Sequence, residues 1–301
     1  RLRITARGGA HATAKILALL AGMIAGADSI EGMHLLRPGG MGRLFSGVRA
    51  PSTLGMFLRA FTFGHVRQLD AVASGFLPRL AGQAPILAGA EQMVWLDVDD
   101  TVVQTYGYAK QAAARGYTGG KGLNVLVATA STPQAAPVIA ATRLRRGNAR
   151  SSRGAATLVL EALRVTRRCG ASGLVILRAD AAFYTRAVVT AAHNAGASFS
   201  VTAPLYPSVT RAIAAIADDA WTPIRYPKAI FDHDEQRWIS DAEVAEVPFT
   251  AFTNRRRREH VSARLIVRRV RRLNPTSVPG GQSELFAVYR YHAVFTDSPE
   301  P

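Results

Sequence analysis

The chain has 301 residues, 48% of them hydrophobic, which is enough to bury a sizeable core and implies two domains with room for an insertion. Its formal net charge is +16 with a pI near 11.0, and of 37 basic residues only Lys15, Lys110, Lys121 and Lys228 are lysine, so the charge is nearly all arginine, whose planar fork suits phosphate oxygens. A single cysteine, Cys169, excludes an internal disulfide and a cysteine-rich metal site; the most apolar run, residues 16–27, is shorter than the ~20 residues of a membrane span, so composition points to nucleic acid in a reducing cytoplasm and not to a membrane.

The N-terminal part reads as helical, with helices expected at residues 12–25 and 29–36, the second stopped by Pro38, Gly39 and Gly40. A second pair follows, at residues 53–61 after Pro51-Ser52-Thr53 and at 66–80 after Gly64. Two short helices joined by a tight turn, near Arg49, Arg59 and Arg67, suit a helix-turn-helix on DNA as well as an ordinary helical subdomain. Residues 1–90 are thus expected to form a helical DNA-binding region, ending in a Pro/Gly-bearing connector over 77–89.

The pattern then changes to short β-branched runs. Strands are predicted at 93–104, 123–129 and 138–144, then a helix at 152–168, a strand at 174–177, a helix at 183–194 and a strand at 199–202. Three strands able to form a meander, followed by helix–strand–helix–strand, is the order of a ribonuclease-H-like mixed α/β sheet, which assigns a core to residues 91–218. Residues 219–284 read as a β-rich basic insertion, with a hairpin at 229–231 and 237–240 around Asp232-His233-Asp234-Glu235 and a closing break at Pro275, Pro279, Gly280 and Gly281. Residues 285–301 supply one more core strand.

Three carboxylates interrupt the apolar strand Val94-Trp95-Leu96-Asp97-Val98-Asp99-Asp100-Thr101, where ionised side chains are costly unless paired or bound to a cation. Alternation places Asp97 and Asp99 on one face and Asp100 on the other. The strand Leu174-Val175-Ile176-Leu177-Arg178-Ala179 hands over to a helix at Asp180. There Asp180 serves as an N-cap or, beside the first strand, completes a carboxylate pair whose repulsion a divalent cation offsets. The same opening run also fits a haloacid-dehalogenase-like phosphatase, with Asp97 as nucleophile and Asp99 as acid/base. Against that stand the absence of a second acid just after Asp180, a hairpin-like connection over 106–122, and a charge that small substrates do not require.

Other motifs read more plainly. In Gly116-Tyr117-Thr118-Gly119-Gly120-Lys121-Gly122 no Ser or Thr follows the lysine, so this is a glycine-rich strand connection and not a phosphate loop. Asp232, Asp234 and Glu235 read as a solvated hairpin tip, and Gly196 after His193 as a helix C-cap. Arg255, Arg256, Arg257, Arg258, Arg264 and Arg268 form so one-sided a charge run that a DNA backbone is their expected partner.

Several stretches, in order along nearly the whole chain, resemble the DDE transposases of bacterial insertion sequences, in particular the thirteen-eighty group. They are Pro51-Ser52-Thr53-Leu54-Gly55 with Gly64-His65-Val66-Arg67-Gln68-Leu69-Asp70, residues 96–103, 116–122 and 178–184, and Tyr289-Arg290-Tyr291-His292-Ala293-Val294-Phe295-Thr296. The resemblance implies DNA transposition and recombination, with Asp99 and Asp180 as catalytic metal ligands and Asp97 as a neighbour that shares or replaces the first. It implies two Mg2+ ions ~4 Å apart, with Mn2+ able to substitute, activating water to cut the element end and then the freed 3′-hydroxyl to attack the target. The family's third acid is a glutamate on a helix after the Tyr-Arg-Tyr-His strand. Nothing after Thr296 matches it, and Glu284 and Glu300 stand in the wrong context, so the chain is expected to stop short of that residue; an alternative is a catalytically dead fragment that only binds DNA. Double-stranded DNA at element ends and target, a homodimer, and a cytoplasmic, nucleoid-associated location complete what the resemblance implies.

Overall fold

A computed structural model describes residues 9–106, 110–116, 119–224, 230–233, 237–239, 242–271 and 289–299. The chain divides into two compact units, Arg1–Ala73 and Ser74–Pro301. The first contains α1 (Ala12–Ile24), a 3-10 turn at Glu31–Leu36 in place of the expected second helix, α2 (Met41–Leu44) and α3 (Pro51–Arg59). Pro51 opens α3 at a position whose N–H has no helical acceptor, so the ring costs nothing there. Leu19, Met33, Leu54 and Phe57 form this unit's small core.

The next helix, α4 (Phe63–Ala81), runs across the unit boundary and continues through Pro78, so the expected connector starts later than its composition suggests. Proline removes the donor that would have reached the Ser74 carbonyl. Arg168 Nη1 donates to that oxygen at 3.4 Å.

The second unit opens with a meander: β1 (Met93–Gln104), the short β2 (Ala114–Arg115), β3 (Lys121–Thr132) and β4 (Ala135–Arg146), with β3 antiparallel to both β1 and β4. Then come α5 (Ala155–Arg168), β5 (Leu174–Ala179), α6 (Arg186–Asn194) and β6 (Ser198–Ala203). β5 lies parallel to β1 and β6 parallel to β5, which α6, as the crossover between β5 and β6, makes possible. The sequence reading places no element between residue 202 and residue 221; α7 (Pro207–Ala214) forms there, started by Pro207 and buried through Val209 and Ile213 at helical spacing.

The remaining strands are β7 (Thr222–Ile224), the separate hairpin β8 (Ile230–Asp232) with β9 (Arg237–Ile239), β10 (Ala242–Ala251), β11 (Val261–Arg271) and β12 (Tyr289–Thr296). The ten-stranded sheet has the order β2-β3-β1-β5-β6-β12-β11-β10-β7, with β4 also paired to β3. β10 and β11 therefore extend the same sheet, joined to β6 through the antiparallel β12. Asp234, Glu235, Arg272, the break from Pro275 to Gly281, Glu284 and Glu300 lie outside the described residues.

Register fixes two faces. Val94, Leu96, Val98, Leu177, Phe199, Val201, Phe295 and Leu265 share one face and are buried, meeting Leu158, Val159 and Ala162 of α5 and Val188, Val189 and Ala192 of α6. Each fully buried aliphatic or aromatic side chain contributes about 1.5–3 kcal/mol. Asp97, Arg178, Ser200, Thr202, Val294, Ile266 and Arg268 alternate onto the other face.

Candidate active site

The parallel register pairs Asp97 with Arg178 and Val98 with Ala179, so the next residues, Asp99 on β1 and Asp180 just past β5, follow side by side. Both line one open depression of about 440 Å³, with Asp97, Arg178, Ser200 and Thr202 around them. The structure thus brings together the three acids singled out from the sequence. The spacing of Asp97 and Asp99 had placed them on one face, but their meeting with Asp180, 81 positions beyond Asp99, depends on strand pairing.

Arginines sort the acids of this region. Arg178 clasps Asp97 in a two-point ion pair, Nε to Oδ1 at 2.6 Å and Nη2 to Oδ2 at 2.7 Å, while its guanidinium lies 4.9 Å from the Trp95 ring centre. Its hydrogen bond to Asp97 raises the Arg178 pKa. On the opposite face Asp100 accepts hydrogen bonds from Asn124 Nδ2 and, at 3.1 Å, from Arg145 Nη2, and both members of the Asp100–Arg145 ion pair keep only 7% of their side chains exposed. Burial lowers the pKa of Arg145, Asp100 opposes that shift, and Arg153 adds to it. The sequence does not disclose Arg145 or Asn124 as partners; both sit on an ordinary strand pattern, and only the β1–β3–β4 register aligns them with Asp100.

Asp99 and Asp180 have no such partner. Asp99 Oδ1 accepts from the backbone N–H of Asp100 at 2.7 Å, and Asp180 Oδ1 from that of Ala182 at 3.0 Å. Among the described residues neither forms an ion pair. Asp180 therefore is the N-cap of the short 3-10 helix Ala181–Phe183, and it also faces the depression; the two readings coexist, because a cap uses one carboxylate oxygen and leaves the other. Buried Phe183 anchors the turn from below. Tyr184 packs against Tyr206, Phe252 and Phe295, and burial pushes its phenol up to about 12.

Asp99 and Asp180 fit a hard divalent cation, since Mg2+ keeps several waters and takes one or two protein carboxylates alongside substrate phosphates. Among the described residues no group of three or more His, Cys, Asp or Glu is placed to hold a metal ion.

The basic run divides between two places. Arg255 to Arg258 lie in the connection between β10 and β11, which contains a 3-10 turn at Arg257–Glu259, and not on a strand. Arg264 and Arg268 lie on β11, on the sheet face that carries Asp97. Arg264 Nη1 reaches Glu246 at 2.9 Å. His292 pairs across from Arg268; burial, with Arg268 and Arg290, lowers its pKa. No helix among the described residues is long and apolar enough to cross a membrane.

A family model described as transposase DDE domain, group 1, matches residues 10–275. Comparison with curated proteins gives no match. Among solved structures the chain is similar to a piggyBac transposase in a synaptic complex with hairpin DNA, at 11% identity and a TM-score of 0.40, covering 99% of this chain and 53% of that one. It is also similar to a Mos1 transposase in a paired-end complex with a left transposon end, at 12% identity and a TM-score of 0.24, covering 62% of this chain and 57% of that one. The chain thus spans little more than half the length of either.

Proposed function

Because this chain belongs to the family of transposase DDE domains, we propose that it cuts and joins DNA at the ends of a mobile element of the insertion-sequence type, using a divalent cation, Mg2+ or Mn2+, held by Asp99 and Asp180. One observation carries this reading: in a chain of net charge +16, three carboxylates line the open depression, and Asp99 and Asp180 are the two of them that form no ion pair among the described residues. When bound, the cation lowers the pKa of a coordinated water and offsets charge on the phosphoryl group. The chain's own residues do the rest. Asp99 and Asp180 supply the anionic oxygens, the backbone amides of Asp100 and Ala182 fix their rotamers, and the Asp97–Arg178 pair puts a guanidinium beside the phosphate-binding floor.

In this reading β1, β3, β4, β5 and β6 with α5 and α6 are a ribonuclease-H-like core over residues 91–218. Residues 219–284 are a basic extension along which Arg255 to Arg258, Arg264 and Arg268 meet backbone phosphates, and residues 1–90 dock on duplex DNA through α3 and α4. A homodimer pairs the two element ends. The haloacid-dehalogenase-like alternative finds no support, because Asp97, its would-be nucleophile, is clasped by Arg178, and β1 leads into the antiparallel β3 instead of a helix.

The experiment is a Mg2+-dependent nicking assay on a duplex carrying the element's terminal repeat. Asp99→Asn and Asp180→Asn are each expected to abolish nicking while leaving salt-sensitive duplex binding intact, and Asp97→Asn to retain nicking. Wild-type nicking by either of the first two variants overturns the assignment; duplex binding with no nicking by the unmodified chain favours the DNA-binding alternative.

A further inference from the structure

The Gly116 to Gly122 motif has no part in the acid site, yet Gly116 and Gly122 are demanded by close backbone approach. A Cβ on Gly116 would stand 2.6 Å from the Gly147 carbonyl oxygen, and one on Gly147 would press closer still on the carbonyls of Gly122 and Ala114. These contacts hold β2 against the turn that follows β4. Between them lies a second open cavity, of about 470 Å³, lined by Arg115, Arg150, Ser151 and Ser152 among others. None of its lining residues is acidic. Ala182, whose amide holds Asp180, is on its wall, so this cavity adjoins the acid site.

Its donors are arranged from below. Arg145 Nη1 donates to three carbonyls of the turn: Arg150 O at 3.1 Å, Ser151 O at 3.0 Å and Arg153 O at 2.6 Å. A trans peptide points its N–H opposite to its C=O, so drawing the Arg150 and Ser151 carbonyls toward Arg145 turns the N–H groups of Ser151 and Ser152 away from it. Those two amides, and the amide of Arg150, meet no acceptor among the described residues. The guanidinia of Arg115 and Arg150 are exposed and form no ion pair among the described residues. Backbone amides, serine hydroxyls and two guanidinia without an ion pair among the described residues, all on residues that line one cavity, are the donors of an anion site.

We infer that this cavity is an oxyanion pocket that seats a backbone phosphate of the nucleic-acid strand presented to Asp99 and Asp180. The ligand's identity as nucleic acid rests on the proposed function; the anion chemistry rests on the pocket alone. Arg145 is then a positioning residue, joining Asp100 beneath one acid to the floor of the phosphate pocket.

The test uses the whole chain and the double variant Arg115→Gln/Arg150→Gln, whose two side chains are exposed, with Arg115→Lys/Arg150→Lys as the charge-keeping control. Duplex affinity is read by fluorescence anisotropy across a salt series. The glutamine pair is expected to weaken binding about tenfold at ~0.1 M salt and to make the salt slope shallower by about one for each phosphate that is no longer neutralised, with the lysine pair recovering most of the slope. Millimolar inorganic phosphate, followed by amide NMR shifts at Ser151 and Ser152, probes the same chemistry without DNA. Unchanged affinity and slope in the glutamine pair overturn the proposal. Phosphate-induced shifts with no effect on DNA also overturn it, by making free phosphate the ligand. If Asp99→Asn still nicks while the glutamine pair loses affinity, the catalytic reading falls and the pocket stands.

Discussion

At the scale of single residues, the site is defined by which charges are matched. Four aspartates stand within the two strand ends, and what separates their roles is the neighbour each meets. Asp97 and Asp100 are matched by Arg178 and Arg145; among the described residues Asp99 and Asp180 accept only from backbone amides. Tyr184, which closes the turn after Asp180, offers a pH test of that turn. Burial first, and Tyr206 second, raise its pKa to about 12 from the ordinary 10.0. The folded state prefers the neutral phenol, so this contribution to stability is fully present below pH ~10 and is lost as pH rises from there through ~12. Denaturant unfolding at pH 9, 10.5 and 11.5 is expected to show a decline that Tyr184→Phe reduces. Equal decline in both proteins would mean that the phenol is not held in its neutral form by the fold.

At the scale of elements, the acid strand is held from behind. The Asp100, Asn124 and Arg145 cluster ties β1 to β3 and β4, and Arg145 carries the tie onward to the turn before α5. Removing one member of a buried ion pair leaves the other charge unmatched, at a cost of about 3–5 kcal/mol. Arg145→Met is therefore expected to lower unfolding free energy by about 3 kcal/mol or more in urea titration, and a loss below about 1 kcal/mol would show that the cluster does not hold the strands. Gly147→Ala tests the adjoining contact. Its Cβ meets backbone carbonyls, which cannot move aside as a side-chain end can, so a loss of about 1–3 kcal/mol or more is expected in the same titration.

At the scale of the whole molecule, the sheet has one face covered by α5 and α6 and another that carries acids at one end and Arg264, Arg268 and Arg290 toward the other. A polyanion laid along the second face meets these arginines beyond the acid depression. With six or more phosphates neutralised, duplex affinity is expected to fall on the order of a thousandfold between ~50 and ~200 mM salt. A nearly flat response in an anisotropy titration would show that the charge of +16 is spent elsewhere than on DNA.

The amino-acid order alone determines much of this. Periodicity places β1 at residues 93–104 as observed, and alternation separates Asp100 from Asp97 and Asp99, because a strand's side chains reverse with every residue. The order of three meander strands followed by helix–strand–helix–strand is legible from local patterns as well. What tertiary structure decided is which charges meet. Nothing local to Asp97 names Arg178, nothing near Asp100 names Arg145, and the glycines around residue 116 read only as a glycine-rich strand connection until Gly147 is packed against them. The long-range pairing of strands selects those partners, since Coulomb and steric interactions depend on distance in space, which sequence separation does not encode.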